Sequence, residues 1–150
     1  MFAVLFNLED LILKVLVSAC LLGENCKYNG GNNYSEKLSK FAEGCEIVPV
    51  CPEVMGGLST PRVPSEIVNG TVMNREGKNN DIEFHRGAEI ALNIAKKEKI
   101  DVAVLQSRSP SCGVKQVYDG SFSGILQDGH GVFAGLLIDN GFRVIDVEDL

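Results

Sequence analysis

Four short apolar runs recur along the chain, and each has the composition of a strand that is buried on both faces. The runs are rich in β-branched residues and contain few polar positions, which is typical of interior strands in a parallel sheet. On this pattern we expect strands at Lys14–Ala19, Glu46–Val50, Asp101–Gln106 and Arg143–Val147.

Segments with helical spacing lie between these runs. The clearest is Phe84–Lys99, whose apolar residues fall on one face. Helices are also predicted at Ser35–Glu43 and at Gly131–Asn140, and the second is followed by Gly141, a typical C-terminal helix stop. Alternating strands and helices predict an α/β fold, a three-layer sandwich in which helices cover both faces of a mostly parallel, Rossmann-like sheet.

The rest of the chain is expected to be loops around one domain. A length of 150 residues fits a single unit, and we place that domain at residues 14–150, after an N-terminal extension at residues 1–13. The middle segment, Gly56–Asp81, is predicted to be loop-rich, and long loops in compact domains are usually functional. The stretch "VYDGSFSG" predicts a turn or a small hairpin.

Composition narrows the possible partners and the compartment. The formal net charge of −6 argues against a nucleic-acid polymer as a partner, because an acidic surface repels phosphates. Apolar runs fall well short of the roughly 18 residues of a membrane span, so no membrane partner is expected. "LVSAC" looks like a lipoprotein cleavage site, but Glu9, Asp10 and Lys14 interrupt the run before it. A cytoplasmic location is therefore predicted.

Three of the five cysteines follow predicted strands. Cys20 and Cys51 come directly after the first two strands, and Cys112 comes a few residues after the third. Ligands of open parallel sheets bind beyond the carboxyl ends of the strands, so these thiols should meet at one rim. Cys45 precedes its strand and should lie at the opposite end, whereas Cys26 lies in a loop from which it could reach the rim.

Converging thiols indicate a metal or an iron–sulfur cluster, although a single buried cysteine is most often a small apolar core residue. The Gly and Pro residues beside each thiol favour turns whose N–H groups stabilise thiolates. Three thiolates on a 4Fe–4S cluster leave one iron open to an exogenous ligand, whereas electron transfer usually uses four. Structural zinc would need a fourth ligand, His85 or His130, and both are more typical of surface or capping positions.

Acid–base candidates lie beside these cysteines. Glu53, two residues after the second thiol of the set, is the best candidate for a general acid/base, with an exposed loop residue as the alternative. Arg62 in "TPR" could bind an anion or cover the loop. Three serines before the last cysteine of the set could bind substrate or an oxyanion, or simply form the turn. They are Ser107, Ser109 and Ser111.

Three stretches together resemble the thiouracil desulfidase family of bacteria and archaea. They are "VSACLLGENCKYNGG", "VPVCPEVMGGLSTPRVPSEI" and "LQSRSPSCG". The resemblance runs from about residue 14 to the C-terminus, and it implies a 4Fe–4S cluster held by Cys20, Cys51 and Cys112. It also implies that Glu53 is the acid/base residue and that Ser109 is catalytic.

The reaction that the resemblance implies is removal of sulfur from 2-thiouracil, a small thiolated nucleobase, with the sulfur bound at the open iron. Uracil and sulfide are the products. Asn29 stands where many members have Asp, so substrate preference could differ if this position lines the pocket. Two alternatives stay open from the residues. One is a non-catalytic, redox-sensing or structural metal or cluster module with Cys26 as a fourth ligand, and the other is a metal-free cysteine-nucleophile enzyme.

Overall fold

The computed structural model describes residues 12–150. Residues 1–11 of the predicted extension lie outside the described residues. Eight strands and four helices follow. In chain order they are β1 (Lys14–Ser18), α1 (Glu36–Phe41), β2 (Glu46–Val50), α2 (Pro52–Met55), β3 (Ser65–Val68), β4 (Thr71–Asn74), α3 (Asp81–Glu98), β5 (Val102–Leu105), β6 (Gln116–Tyr118), β7 (Leu126–Asp128), α4 (Val132–Asp139) and β8 (Val144–Asp146). Among the described residues, no helix is long and apolar enough to cross a bilayer.

The four predicted strands form one parallel sheet in the order β2-β1-β5-β8. Their central positions were predicted correctly, and their ends differ from the prediction by at most one residue. All four strands run the same way, so the residues that follow them lie along one edge of the sheet. This edge carries the site described below.

Alternate residues of the central strands enter two separate hydrophobic clusters. Leu16 of β1 packs in the cluster that contains Phe133 of α4 and the buried face of α3. Val15 and Val17 pack in the other cluster, with Leu38 of α1. The apolar composition of these strands thus reflects burial on both sides, as strands in a parallel sheet require.

The predicted helices are present with shifted ends. Ser35 caps α1, because its hydroxyl oxygen accepts a hydrogen bond from the amide of Leu38 at 3.2 Å. α3 begins three residues before the predicted start, at Asp81, and α4 ends at Asp139. The short helix α2 was not predicted. It begins at Pro52, directly after Cys51, where proline suits the first helical position.

The loop-rich prediction for Gly56–Asp81 is wrong in its centre, because β3 and β4 form an antiparallel hairpin there. The turn is Asn69-Gly70, with φ angles of 49° and 81°. An Asn-Gly pair between alternating residues is a strong hairpin signal that the loop prediction overlooked. The small hairpin expected at "VYDGSFSG" is confirmed, since β6 and β7 pair across this stretch.

Two glycines set the close crossing of α2 and α3. A methyl group on Gly56 would overlap the backbone carbonyl of Glu83, and one on Gly87 would overlap the carbonyl of Pro52. This backbone-to-backbone contact holds the short helix that follows Cys51 against α3, the longest helix among residues 12–150. The position of Cys51 therefore depends on the absence of side chains at the crossing.

Candidate functional site

A cavity of about 540 Å³ opens at the carboxyl edge of the sheet. Segments that follow β1, β2 and β5 form its floor, and the two hairpins contribute its outer wall. Four cysteines line the cavity. They are Cys20, Cys26, Cys51 and Cys112. Cys45 lies elsewhere, with its thiol directed at the carbonyl of Phe41, 3.7 Å away.

Each of the three strand-end cysteines is held by a different local structure. Cys20 lies in a 3-10 turn, Ala19–Leu22, that ends at Gly23 with a φ of 91°. Cys51 occupies the capping position of α2. Cys112 follows β5 in a turn in which the amide of Gly113 bonds to the carbonyl of Ser109 at 2.8 Å.

The thiols are close enough to influence one another. Burial raises the pKa of Cys112, and a hydrogen bond from Ser18 opposes the rise. Burial likewise raises the pKa of Cys20, while Asn33 opposes it by donating to the sulfur at 3.5 Å, and the nearby Cys51 raises it further. Elevated thiol pKa values mean that these groups carry protons at neutral pH until a metal displaces them.

The donor set fits a cluster better than a single ion. Within residues 12–150, no three His, Cys, Asp or Glu side chains come close enough to hold one metal ion. The lining residues of the cavity do not include His85 or His130, the candidate fourth zinc ligands. His85 pairs with Asp81 at 3.5 Å on α3, and His130 bonds to the carbonyl of Val114.

A 4Fe–4S cluster spreads its ligands over separate iron atoms, so its thiolates stand around a larger body than a single ion. Three of the cysteines that line the cavity come from three separate segments of the chain, which fits a group of this size. The side-chain amide of Asn33 donates a hydrogen bond to the Cys20 sulfur at 3.5 Å, and such donors tune cluster ligands. Sequence reasoning missed Asn33.

Cys26 is a fourth thiol in the cavity. Its side chain is within hydrogen-bonding range of the Cys51 thiol, and the Cys51 sulfur lies 4.0 Å from the Cys26 carbonyl oxygen. Burial, together with the neighbouring Cys51, raises the pKa of Cys26. The sequence predicts that Cys26 could reach the rim from its loop, and Cys26 does line the cavity.

Glu53 lies inside the cavity wall, with 16% of its side chain exposed, so the exposed-loop alternative is wrong. Its Oε1 atom accepts a hydrogen bond from Arg62 Nε at 3.0 Å, and its Oε2 atom accepts one from Ser111 Oγ at 2.8 Å. Arg62 also donates to the carbonyl of Cys26 at 2.8 Å. The anion that Arg62 binds is thus the Glu53 carboxylate.

The three serines have different surroundings. Ser107 is buried and donates to Asp146 of β8, which indicates a structural role. Ser109 lines the cavity, and its Oγ atom accepts hydrogen bonds from the amides of Ser111 at 3.2 Å and Cys112 at 3.0 Å. Ser111, rather than Ser109, contacts Glu53. The sequence predicts all three serines near the site but contains no signal that distinguishes their roles.

The hairpins are tied to each other at the mouth of the cavity. Glu66 of β3 accepts hydrogen bonds from the amides of Gly120 at 3.0 Å and Phe122 at 3.1 Å. Tyr28 also lines the cavity. The neighbouring Asn29 is exposed, and its side chain bonds to the amide of Gly31 at 2.9 Å, so it does not line the pocket in this conformation.

Comparisons with known proteins identify the family to which this chain is similar. A family model described as 2-thiouracil desulfurase matches residues 15–149. The uncharacterized protein YbbK of Bacillus subtilis (strain 168) is 39% identical over 146 residues, which are 91% of this chain and 97% of that protein. A solved structure described as the 4Fe-4S-dependent thiouracil desulfidase TudS has a TM-score of 0.86 and 38% identity, covering 92% of this chain and 93% of that one.

Proposed function

This chain belongs to the 2-thiouracil desulfurase family, and from that premise we propose that it converts 2-thiouracil to uracil and sulfide with a 4Fe–4S cluster as its cofactor. The observation that carries the proposal is one cavity lined by three strand-end cysteines and by Glu53. The enzyme class is a C–S bond-cleaving desulfidase. A small thiolated nucleobase fits a cavity of about 540 Å³.

The residues proposed to hold the cluster are Cys20, Cys51 and Cys112. When bound, such a cluster would supply a Lewis-acidic iron that polarises a thiocarbonyl group. The protein would contribute a partly closed cavity and a hydrogen-bond donor from Asn33 to the Cys20 sulfur.

Proton transfer is assigned to the chain's own residues. The Glu53 carboxylate is the final acceptor of the proton that the attacking water releases, and the Arg62 guanidinium 3.0 Å away keeps the carboxylate in place. Ser109 lines the cavity with a hydroxyl whose oxygen is fixed by two backbone amides, which holds it in place beside the substrate and suits it to take part in proton transfer. The net reaction exchanges sulfur for oxygen at one carbon and needs no electron donor or acceptor.

We also propose the finer architecture and the compartment. Two core clusters, one shared with α3 and α4 and one with α1, support a three-layer sandwich with a Rossmann-like sheet in the middle. All five cysteines are free, which is the state that a reducing cytoplasm maintains.

The test is a turnover assay on protein reconstituted with iron and sulfide under strict exclusion of oxygen. We expect 2-thiouracil to give uracil and sulfide in equal amounts, with product measured by chromatography and by a sulfide assay. The matched control is the same preparation without cluster, which should form no product. An intact cluster with no uracil formed would contradict the proposal and favour the non-catalytic module.

A further inference from the structure

We propose that Ser111 is a proton-relay residue that connects Ser109 to Glu53, both of which line the cavity, in one fixed direction. The inference rests on the proposed function and adds a residue to it. Ser111 is 2% exposed, whereas Ser109 is half-buried at the cavity surface. The three groups form an unbroken line, with 2.9 Å between the two hydroxyl oxygens and 2.8 Å from Ser111 Oγ to Glu53 Oε2.

The number of hydrogen bonds that a hydroxyl can donate and accept fixes the direction of proton transfer at Ser109. A hydroxyl has one hydrogen to donate and two lone pairs to accept with. The Ser109 oxygen accepts from the amides of Ser111 and Cys112, so both lone pairs are engaged. Its single hydrogen must therefore point to Ser111 Oγ, 2.9 Å away.

The second serine continues in the same direction. Ser111 Oγ accepts from Ser109 and has one hydrogen to donate. Glu53 Oε2 lies at 2.8 Å and the Cys112 sulfur at 3.7 Å, so the carboxylate is the closer acceptor. Arg62 occupies the other carboxylate oxygen, Oε1, at 3.0 Å, which leaves Oε2 as the end of the relay.

The transfer balances without a redox partner. As Ser109 gives its proton to Ser111 Oγ, the Ser111 proton moves to Glu53 Oε2 and forms a neutral carboxylic acid. The electron pair freed on Ser109 Oγ takes a proton from water, whose oxygen forms the new bond to carbon. Each serine again holds one proton, and the same line run in reverse returns the Glu53 proton to the departing sulfur. The sulfur leaves as hydrosulfide with the electron pair of the carbon–sulfur bond, and the proton of the new hydroxyl group passes to solvent as the carbonyl forms. The two amides stabilise the charge that develops on Ser109 Oγ meanwhile.

The experiment compares Ser111→Ala with Ser111→Thr in reconstituted protein. Rates are expressed per iron-loaded chain, so that an effect on the adjacent Cys112 does not count as catalysis. We expect Ser111→Ala to lower kcat by about 100-fold with little change in KM, because a relay acts only on proton transfer. Ser111→Thr keeps the hydroxyl and should recover most of the loss.

The solvent isotope effect separates relay from structure. In wild-type protein several protons move together, so the rate should depend non-linearly on the deuterium fraction of the solvent, and Ser111→Ala should make the dependence linear. Ser107→Ala is the matched control. It removes the other buried serine–carboxylate bond of this segment, to Asp146, so it should lower Tm while keeping the wild-type isotope dependence.

A direct readout needs no turnover. In cluster-free protein, nuclear magnetic resonance should show slowly exchanging hydroxyl protons for Ser109 and Ser111, and Ser111→Ala should make the Ser109 proton exchange fast. Fast exchange in the wild type would contradict the fixed direction.

Turnover distinguishes the two proposals from each other. A working enzyme whose kcat survives Ser111→Ala would overturn the relay alone, and so would equal impairment by Ala and Thr. A loaded wild-type protein without uracil formation would overturn the proposed function and, with it, the relay's part in the reaction.

Discussion

At the scale of single residues, Arg62 ties together two segments that are far apart in the sequence. Its Nε atom donates to Glu53 and its Nη2 atom to the carbonyl of Cys26, while Nη1 donates to Thr60 Oγ1 at 3.0 Å. Only 8% of its side chain is exposed. A guanidinium supplies these donors from one planar group, which a lysine ammonium does not. The carboxylate and the loop that carries Cys26 are therefore fixed by the same side chain.

Glu53 gives the sharpest residue-scale prediction. Replacing it by alanine removes the proton acceptor but none of the proposed cluster ligands, so turnover should fall by roughly 100-fold or more with the cluster retained. The measurement is kcat per loaded chain, together with the iron content. Glu43→Ala, at an exposed position, is the matched control and should behave like the wild type. Unchanged turnover in Glu53→Ala would refute the role.

The sequence could point to Glu53 but not to its partners. Glu53 stands two residues after a strand-end cysteine, so its neighbourhood follows from chain connectivity. Ser111 reaches it across 58 positions, and Asn33 reaches Cys20 across 13 positions of loop. Such contacts depend on the path of loops, and loop paths carry no periodic signal in a sequence. Ser109 and Ser111 could be distinguished only after their acceptors were known.

At the scale of elements, the crossing of α2 and α3 is the support for the second cysteine. Gly87 of α3 faces the carbonyl of Pro52 with no room for a side chain, and Gly56 faces Glu83 in the same way. Pro52 adjoins Cys51 and Glu53, so separating the two helices would move both of these residues. The stability of α3 and the geometry of the site are thus coupled at this contact.

Gly87→Ala should therefore destabilise the protein, lowering the free energy of unfolding by about 3 kcal/mol through overpacking, and reduce the iron bound per chain. Chemical denaturation and an iron assay are the measurements. Gly135→Ala in α4 is the matched control, because the nearest atom to its new methyl group is 3.5 Å away. That variant should gain about 0.5–1 kcal/mol from helix propensity. Equal effects of Gly87→Ala and Gly135→Ala on the free energy of unfolding and on bound iron would contradict the coupling between the helix crossing and the site.

The elements also show where sequence patterns succeed. Strands such as β5, with all four residues buried, are recognised from composition, because parallel strands cannot place polar residues on either face. The hairpin of β3 and β4 lies in a segment whose composition predicts mostly loops, although Asn69-Gly70 marks its turn. The missed element forms part of the cavity wall, through Ser65 and Glu66.

At the scale of the whole molecule, the order and direction of the strands bring the site residues together. Three parallel strands end at one edge and deliver thiols that are separated by 31 and 61 positions in the chain. This convergence was predictable, because parallel strands share one carboxyl edge. The shape and size of the cavity were not, since they depend on hairpins that pack across the edge. The net charge of −6 argues against a nucleic-acid polymer as a partner, and this expectation stays a prediction.

The central claim is that three particular cysteines, and no others, hold the cluster. It is tested most directly by counting iron and sulfide per chain after anaerobic reconstitution of five single variants, each with one cysteine replaced by alanine. Loss of bound iron is predicted for the variants at Cys20, Cys51 and Cys112, and wild-type iron content for those at Cys26 and Cys45. Full iron content in any of the first three, or loss of iron on replacing Cys26, would contradict the account.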